Sequence, residues 1–359
     1  MRRRASEGLK PAPSFERDVP IGTLALDSGV VLDGVVQRVT VYGEPRPDGA
    51  NVVLVNHALT GSGRILEWWE DVVGPGKLLD TNLAAVVGIN ALGSCYGSTG
   101  PSSTAPDGKP YGARFPLVTV WDMVRAQRAA LAALGVQRLA VVIGGSLGGM
   151  QALAWALESP AQVRHAVAIG AYDHFTAMGI ALNYVAREAI RVARSQAEGI
   201  ELARKIAMLT YKSEALMAER FARRFDRKGG DPTVDPEGKF DVEGYLDYQG
   251  AIFSKRMDTD AYLALTRAMD LFDARERGLG EGSPPAFTLV GISSDWLFLP
   301  EYVRATAERF ARDGADSVYL ELASNHGHDA FLAEPDHLTE LVAPRLAAWY
   351  ASLAQPLPL

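Results

Sequence analysis

Short apolar runs rich in β-branched residues alternate with longer amphipathic patterns over the first half of the chain. The runs predict strands at VVLDGVVQRVTVYG (30–43), NVVLVNH (51–57), LAAVVGIN (83–90), LAVVIGG (139–145) and HAVAIG (165–170). Residues 120–135 have apolar positions at helical spacing and end at Gly135, a residue type that commonly follows a helix. Since strands that are apolar throughout must be covered on both faces, the pattern predicts an α/β fold with a mostly parallel sheet flanked by helices.

A long block of helical periodicity follows residue 171 and contains hardly a strand-like run. Strand patterns return at AFTLVGI (286–292) and SVYLELA (317–323), each followed by a helical pattern. A helical lid inserted between consecutive strands of one sheet accounts for this order. We therefore predict a flexible N-terminal tail at 1–18, an α/β core at 19–171 and 284–356, and a helical lid at 172–283.

Composition and charge exclude several classes of binding partner. The chain has 359 residues, of which 48% are hydrophobic and 22% charged, as in folded globular proteins. A formal charge of −7 provides no basic field for nucleic acid or an anionic membrane. The single cysteine, Cys95, excludes an intramolecular disulfide, and no apolar segment is long enough for a signal peptide or a membrane span. We expect a cytoplasmic protein that binds neither nucleic acid nor membrane.

The segment Gly144-Gly145-Ser146-Leu147-Gly148 lies between a predicted strand and a predicted helix. It fits the G-x-S-x-G pattern of a nucleophile elbow, a tight turn that forces the serine into a strained conformation and leaves room only for glycine two positions away on either side. A simple glycine-rich turn is the alternative, and the lack of a lysine argues against a phosphate-binding loop. We predict Ser146 as a nucleophile in an α/β-hydrolase fold.

In α/β-hydrolases an acidic residue and then a histidine follow the serine, on loops after later strands. The strand at 286–292 leads to Asp295, and the strand at 317–323 leads to His326 and His328. Asp295 therefore qualifies as the acid that orients the base, although it could instead cap the next helix. Either histidine could be the base at this stage, and they lack third and fourth ligands for a metal site.

Two backbone amides are candidates for an oxyanion hole, the pair of N–H donors that stabilises negative charge on a carbonyl oxygen during acyl transfer. Leu147 directly follows the nucleophile, at the start of a helix. Leu59 lies in the loop after an early strand, HALTG (57–61), where the second donor of such sites is found. His57 is expected to hold this loop in place.

Several longer motifs resemble one family, the homoserine O-acetyltransferases. They are HALTG, GPGKLLDT, ALGSCYGSTGPSS, GARFPLVTVWDMV, GGSLGGMQALAWA, YQGAIFSKRMDTDAYLALTRAMDLFD, SSDWLFLP and GHDAFL, and they extend over nearly the whole chain. The last motif favours His328 over His326 as the base. The resemblance implies an α/β-hydrolase-fold acyltransferase of methionine biosynthesis that forms homodimers.

The resemblance also implies a reaction and a substrate site. Acetyl-CoA, a co-substrate rather than a bound cofactor, would acylate Ser146, and the hydroxyl of L-homoserine would then take the acetyl group. The family's substrate-contacting arginine falls on Arg204, and the carboxylate beside the catalytic histidine falls on Asp329. Arg187 is a second candidate contact. A guanidinium suits the α-carboxylate of homoserine, and a carboxylate suits its ammonium.

The lid differs from the family pattern, because the stretch between the helices that carry Arg187 and Arg204 is shorter than usual. This difference leaves the acyl group open, since similar proteins use succinyl-CoA or acylate serine. A carboxylesterase, or a binding protein with an idle site, would keep the same three catalytic residue types. The role of Cys95 in its glycine-rich loop is predicted to be that of a small apolar residue.

Overall fold

The computed structural model describes residues 13–46, 48–226, 230–280 and 282–353. Its strands are β1 (Phe15–Ala25), β2 (Val31–Tyr42), β3 (Val52–Asn56), β4 (Ala85–Ile89), β5 (Leu139–Gly145), β6 (Val163–Ile169), β7 (Ala286–Ile292) and β8 (Ser317–Leu322). They form one sheet in the order β1-β2-β4-β3-β5-β6-β7-β8, in which only the pairs β1–β2 and β2–β4 are antiparallel. The predicted α/β-hydrolase fold, with its mostly parallel sheet, is confirmed.

Alternate residues along the central strands face opposite sides of this sheet. Leu54 and Val142 belong to the hydrophobic cluster on one face, whereas Val53 and Val141 belong to the cluster on the other. Helices cover both faces, so every residue of β3 is buried. This double burial explains why the parallel strands are apolar throughout instead of alternating between apolar and polar residues.

Among the described residues, five α-helices lie outside the segment between β6 and β7. They are α1 (Val120–Ala133), α2 (Leu147–Glu158), α8 (Pro300–Arg312), α9 (Ala330–Ala333) and α10 (Pro335–Leu353). The α1 helix starts with a capping box, in which Thr119 accepts from the Asp122 amide and Asp122 accepts from the Thr119 amide. Within the described ranges no helix is long and apolar enough to cross a bilayer.

Five helices separate β6 from β7: α3 (Ala177–Val192), α4 (Gln196–Tyr211), α5 (Glu214–Phe221), α6 (Asp241–Phe253) and α7 (Thr259–Asp270). Serine or threonine side chains cap the first three of them, at Thr176, Ser195 and Ser213. The two ends of this helical insertion lie side by side just past the end of β6, where His174 forms a β-bridge with Asp273. It occupies the segment that the sequence predicts to be a lid.

The predicted N-terminal tail at 1–18 is wrong at its C-terminal end. Phe15–Asp18 belong to strand β1, which pairs with β2, while residues 1–12 lie outside the described residues. The periodicity missed β1 because it is an edge strand: its residues are mostly half-buried or exposed, and the register shifts between Pro20 and Leu24. A polar, irregular strand of this kind does not produce the apolar pattern from which the other strands were predicted.

Candidate functional site

Ser146 lies at the sharp turn between β5 and α2, with φ 59° and ψ −126°. Few non-glycine residues adopt a positive φ, and such strain is typical of functional sites. The neighbouring glycines permit the turn. A Cβ on Gly144 would lie 2.6 Å from the Asn56 carbonyl oxygen, and one on Gly148 only 2.1 Å from it. The predicted elbow therefore has the backbone geometry that the G-x-S-x-G pattern requires.

Asp295 and His328 meet across the sheet edge. His328 Nδ1 lies 2.6 Å from Asp295 Oδ2, and the other carboxylate oxygen accepts the amides of Leu297 and Phe298 at 3.0 and 2.9 Å. The two readings of Asp295 are thus compatible, because one oxygen caps the backbone and the other orients the histidine. Since a carboxylate can only accept here, the proton of a neutral imidazole lies on Nδ1 and leaves Nε2 as an acceptor.

The His328 ring is held in an aromatic setting and is 2% exposed. It stacks on Phe298 with ring centres 4.9 Å apart, while Tyr211 and Phe331 lie at 5.9 Å. Burial disfavours the imidazolium, but Asp295 and Asp329 outweigh this effect and raise the pKa of His328 above its ordinary 6.5. His326, by contrast, is half-buried, and its backbone amide donates to Ser324 Oγ.

Backbone contacts bring Ser146 beside this histidine. The Ser146 amide donates to the Ile169 carbonyl at the end of β6, and the next residue, Gly170, would place a Cβ 3.2 Å from His328 Cε1. The described residues provide no hydrogen-bond partner for His328 Nε2, the atom that remains free to accept a proton. In unliganded sites of this type the bond between nucleophile and base is often long and tightens with substrate.

Both residues that carry the predicted oxyanion donors lie close to Ser146. Leu147 is the first residue of α2, and Leu59 lines a narrow slot together with Ser146. The loop that carries Leu59 is fixed from several directions: His57 accepts the Ala91 amide at its Nε2, and Arg256 from the helical insertion donates to the Thr60 carbonyl at 2.7 Å. His57 is buried and its pKa is lowered by burial, so it acts as a neutral structural residue.

Two neighbouring spaces share Tyr211 in their walls. The slot beside Ser146 is small, about 20 Å³, and mainly apolar. The other residues of its wall are Leu59, Phe175, Leu182, Asn183, Ala186, Ile206, Ala207, Thr210, Tyr211, Tyr262, Met269 and Leu297. The outer cavity is about 760 Å³ and contains both Arg204 and Asp329 in its wall. Tyr211 lines both spaces, so its ring forms the boundary between them.

Arg204 presents an unpaired guanidinium to the outer cavity. Its Nε and Nη1 are buried and have no hydrogen-bond partner among the described residues. The guanidinium carbon lies 4.9 Å from the centre of the Phe253 ring and 5.5 Å from that of Tyr211, so aromatic faces rather than carboxylates hold the charge. A buried cation without a carboxylate is suited to bind an anionic group of a ligand.

Arg187 is not brought to this cavity. Its Nη2 donates to Asp270 at 2.5 Å, the two side chains are 7% and 2% exposed, and Asn183 also donates to Asp270. The ion pair joins α3 to α7, so Arg187 holds two helices of the insertion together. The expected contact between Arg187 and a substrate stays a prediction, because Nη2 is paired with Asp270 whereas Nη1 is buried and has no hydrogen-bond partner among the described residues.

The comparisons with known proteins agree with this fold and identify a family. A family model described as the α/β-hydrolase fold matches residues 51–335. A homoserine O-succinyltransferase of Methylibium petroleiphilum is 40% identical and the match covers 91% of each chain. The chain belongs to the homoserine O-acyltransferase family.

Other members of this family have a different acyl group in their names. A homoserine O-acetyltransferase of Methanocorpusculum labreanum is also 40% identical, over 89% of this chain and 70% of that one. Among solved structures, a homoserine O-acetyltransferase from Bacillus anthracis has a TM-score of 0.82 at 20% identity, covering 96% of this chain and 98% of that one. An esterase, E22, has a TM-score of 0.83 at 23% identity, covering 94% and 99%. At such identities the structures confirm the fold alone.

The sequence analysis did not predict several polar residues that lie at or near this site. Lys212 pairs with Asp329 at 2.7 Å. A buried chain of hydrogen bonds runs from Trp155 through Gln127 to Gln151, whose amide reaches the Leu147 carbonyl at 3.2 Å. The positions on α1 and α2 carry no signal in the sequence, because a glutamine on a helix is usually a surface residue.

Proposed function

We propose that this protein transfers an acetyl group from acetyl-CoA to the hydroxyl of L-homoserine, through an acyl-enzyme on Ser146, and supplies O-acetyl-L-homoserine for methionine biosynthesis. The observation that carries the proposal is the pairing of His328 with Asp295 beside a strained serine, next to a cavity with an unpaired arginine. The names of its relatives support the acceptor.

The first step of the proposed reaction is acylation of Ser146. His328 Nε2 takes the proton of Ser146 Oγ while the oxygen attacks the thioester carbonyl, and Asp295 stabilises the imidazolium through Nδ1. The amides of Leu59 and Leu147 donate to the carbonyl oxygen as it becomes negative. Collapse of the tetrahedral intermediate breaks the carbon–sulfur bond, and the imidazolium returns its proton to the leaving thiolate of CoA.

The second half-reaction uses the same groups in the reverse sense. His328 takes the proton of the homoserine hydroxyl as this oxygen attacks the acyl carbonyl, and then protonates Ser146 Oγ as it leaves. Arg204 would bind the α-carboxylate of homoserine and Asp329 its ammonium, since both side chains lie in the wall of the outer cavity. Holding the acceptor in this way favours its hydroxyl over water as the nucleophile.

The size and polarity of the slot support acetyl as the acyl group. Its described wall carries no charged side chain and the space is about 20 Å³, which suits a methyl group. A succinyl group would bring a carboxylate that needs a cation, and burial of an unpaired charge is costly. Succinyl transfer is the second candidate, because several relatives are named homoserine O-succinyltransferases.

Steady-state assays test the proposal directly. Purified protein with acetyl-CoA and L-homoserine should release CoA thiol with parallel-line kinetics, and succinyl-CoA or L-serine should be much poorer substrates. Ser146→Ala should abolish the mass increase of an acyl-enzyme. A preference for succinyl-CoA would overturn the donor assignment, and thiol release without any acceptor would identify a hydrolase instead.

A further inference from the structure

The junction between α4 and α5 contacts the two loops that carry the acid and the base. Trp296 Nε1 donates to the Lys212 carbonyl at 3.2 Å, and Ser213 Oγ donates to the Asn325 carbonyl. A Cβ on Gly327 would lie 2.8 Å from the Lys212 carbonyl carbon, so the two backbones pack directly on each other. These contacts fix the position from which the Lys212 side chain extends.

The Lys212 side chain ends at the carboxylate of Asp329. Its Nζ lies 2.7 Å from Asp329 Oδ2, and the two side chains are only 13% and 22% exposed. The other oxygen, Oδ1, has no hydrogen-bond partner among the described residues, and Asp329 lines the outer cavity. One oxygen of the carboxylate is thus held by Lys212, and the side chain lies in the wall of the outer cavity.

The same ion pair alters the charge around the base. In the part of the chain that the structure describes, the ionisable groups that contact the His328 imidazole or act on its charge are Asp295 from the loop after β7, Asp329 from its own segment, and Tyr211 and Lys212 at the end of α4. Tyr211 is a neutral phenol, since burial raises its pKa. Asp329 favours the imidazolium and Lys212 opposes it, so the lysine offsets the second carboxylate beside the base.

We propose that Lys212 is a positioning residue of the site, which holds Asp329 through one oxygen, leaves the other for a cationic group of the acceptor, and cancels the charge of this carboxylate next to His328. The acceptor part of this inference rests on the proposed function. The charge part does not, because it concerns proton transfer from Ser146 in any acylation reaction.

The direction of the effect follows from the charges. In Lys212→Met the cation is removed while Asp329 stays, so the imidazolium is favoured and the pKa of His328 rises. Less of the free base is then present at a given pH, and the acid limb of the rate profile moves to higher pH. A charge removed from a partly buried neighbour should shift this limb by about 0.5–1 pH unit.

The experiment measures acylation of the full-length enzyme by p-nitrophenyl acetate between about pH 5 and 9. The profile of kcat/KM reports the free enzyme's base, and no homoserine is needed. Lys212→Met should shift the acid limb upward, and Lys212→Arg, which retains the charge, should restore it. Asp329→Asn alone should move the limb to lower pH, and Lys212→Met in that background should still move it upward by a similar amount, since each charge acts directly on the imidazolium.

Lys205→Met is the matched control. Lys205 lies on the same helix and pairs with Asp247 at 2.6 Å, away from both the slot and the outer cavity, and Lys239 also pairs with Asp247. Its profile should superimpose on that of the wild type. An unchanged profile for Lys212→Met, or an equal shift in both variants, would overturn the proposal.

The acceptor part is tested with homoserine. In Lys212→Met the kcat/KM for homoserine should fall by about tenfold beyond the loss on p-nitrophenyl acetate at the same pH, because the freed carboxylate can turn away from the ammonium. Equal losses on both substrates would refute this part. If the wild type acylates Ser146 but does not use homoserine at all, the proposed function fails, and the pH profiles still decide the role of Lys212.

Discussion

Replacement of Arg204 by methionine should stabilise the unliganded protein and impair its use of homoserine. Two nitrogens of the guanidinium, Nε and Nη1, are buried without a partner among the described residues, and each unsatisfied donor atom of this kind costs roughly 1–3 kcal/mol. The contacts of the cation with Phe253 and Tyr211 return about 0.5–2 kcal/mol each. Methionine keeps the apolar stem in place, so we expect a gain of about 1–2 kcal/mol in the free energy of unfolding.

The same substitution removes the group that would bind the α-carboxylate of homoserine. Two charge-assisted hydrogen bonds contribute about 3–4 kcal/mol together, so kcat/KM for homoserine should fall by about 10²–10³. Acylation of Ser146 by p-nitrophenyl acetate should change little. Urea unfolding without substrate and steady-state kinetics with both substrates give the two readouts.

Arg220→Met is a suitable control for this experiment. Arg220 also lies over aromatic rings, with its guanidinium carbon 4.8 Å from the centre of Tyr245, but none of its nitrogens is buried without a partner. Its replacement should neither stabilise the protein nor change kcat/KM for homoserine. A loss of stability in Arg204→Met, or homoserine kinetics equal to those of the wild type, would refute the view that this cation is kept for a ligand.

Two further substitutions test the elbow and the orientation of the base. Asp295→Asn keeps an oxygen for the backbone amides but can direct its NH₂ at His328, which moves the imidazole proton to Nε2. The rate of acylation in stopped-flow assays should therefore fall by about 10³–10⁴. A loss under tenfold would argue against the triad. Gly148→Ala places a methyl group 2.1 Å from the Asn56 carbonyl oxygen, and in urea titrations it should lower the free energy of unfolding by about 2 kcal/mol or more. Gly278→Ala is the control: its methyl group would have no atom within 4 Å, so the free energy of unfolding should not change.

The pattern of the sequence determined the type of fold and the location of the nucleophile. Continuous apolar strands require cover on both faces, and the structure buries all of β3 and β5. The glycines around Ser146 are needed by the local backbone, so a motif of five residues predicts the turn without any tertiary contact. Because the carboxyl ends of parallel strands meet at one edge, the loops after β7 and β8 were also expected to lie near Ser146.

Only the tertiary structure decided which side chains meet. His326 and His328 are equivalent by position in the chain, and the GHDAFL motif favoured His328 only by resemblance; the structure shows its ring in contact with Asp295, 33 residues earlier. Lys212 and Asp329 are 117 residues apart. Short-range patterns describe the exposure and direction of each backbone segment, whereas an ion pair depends on how helices from one segment pack on loops from another, and that packing is a property of the whole core.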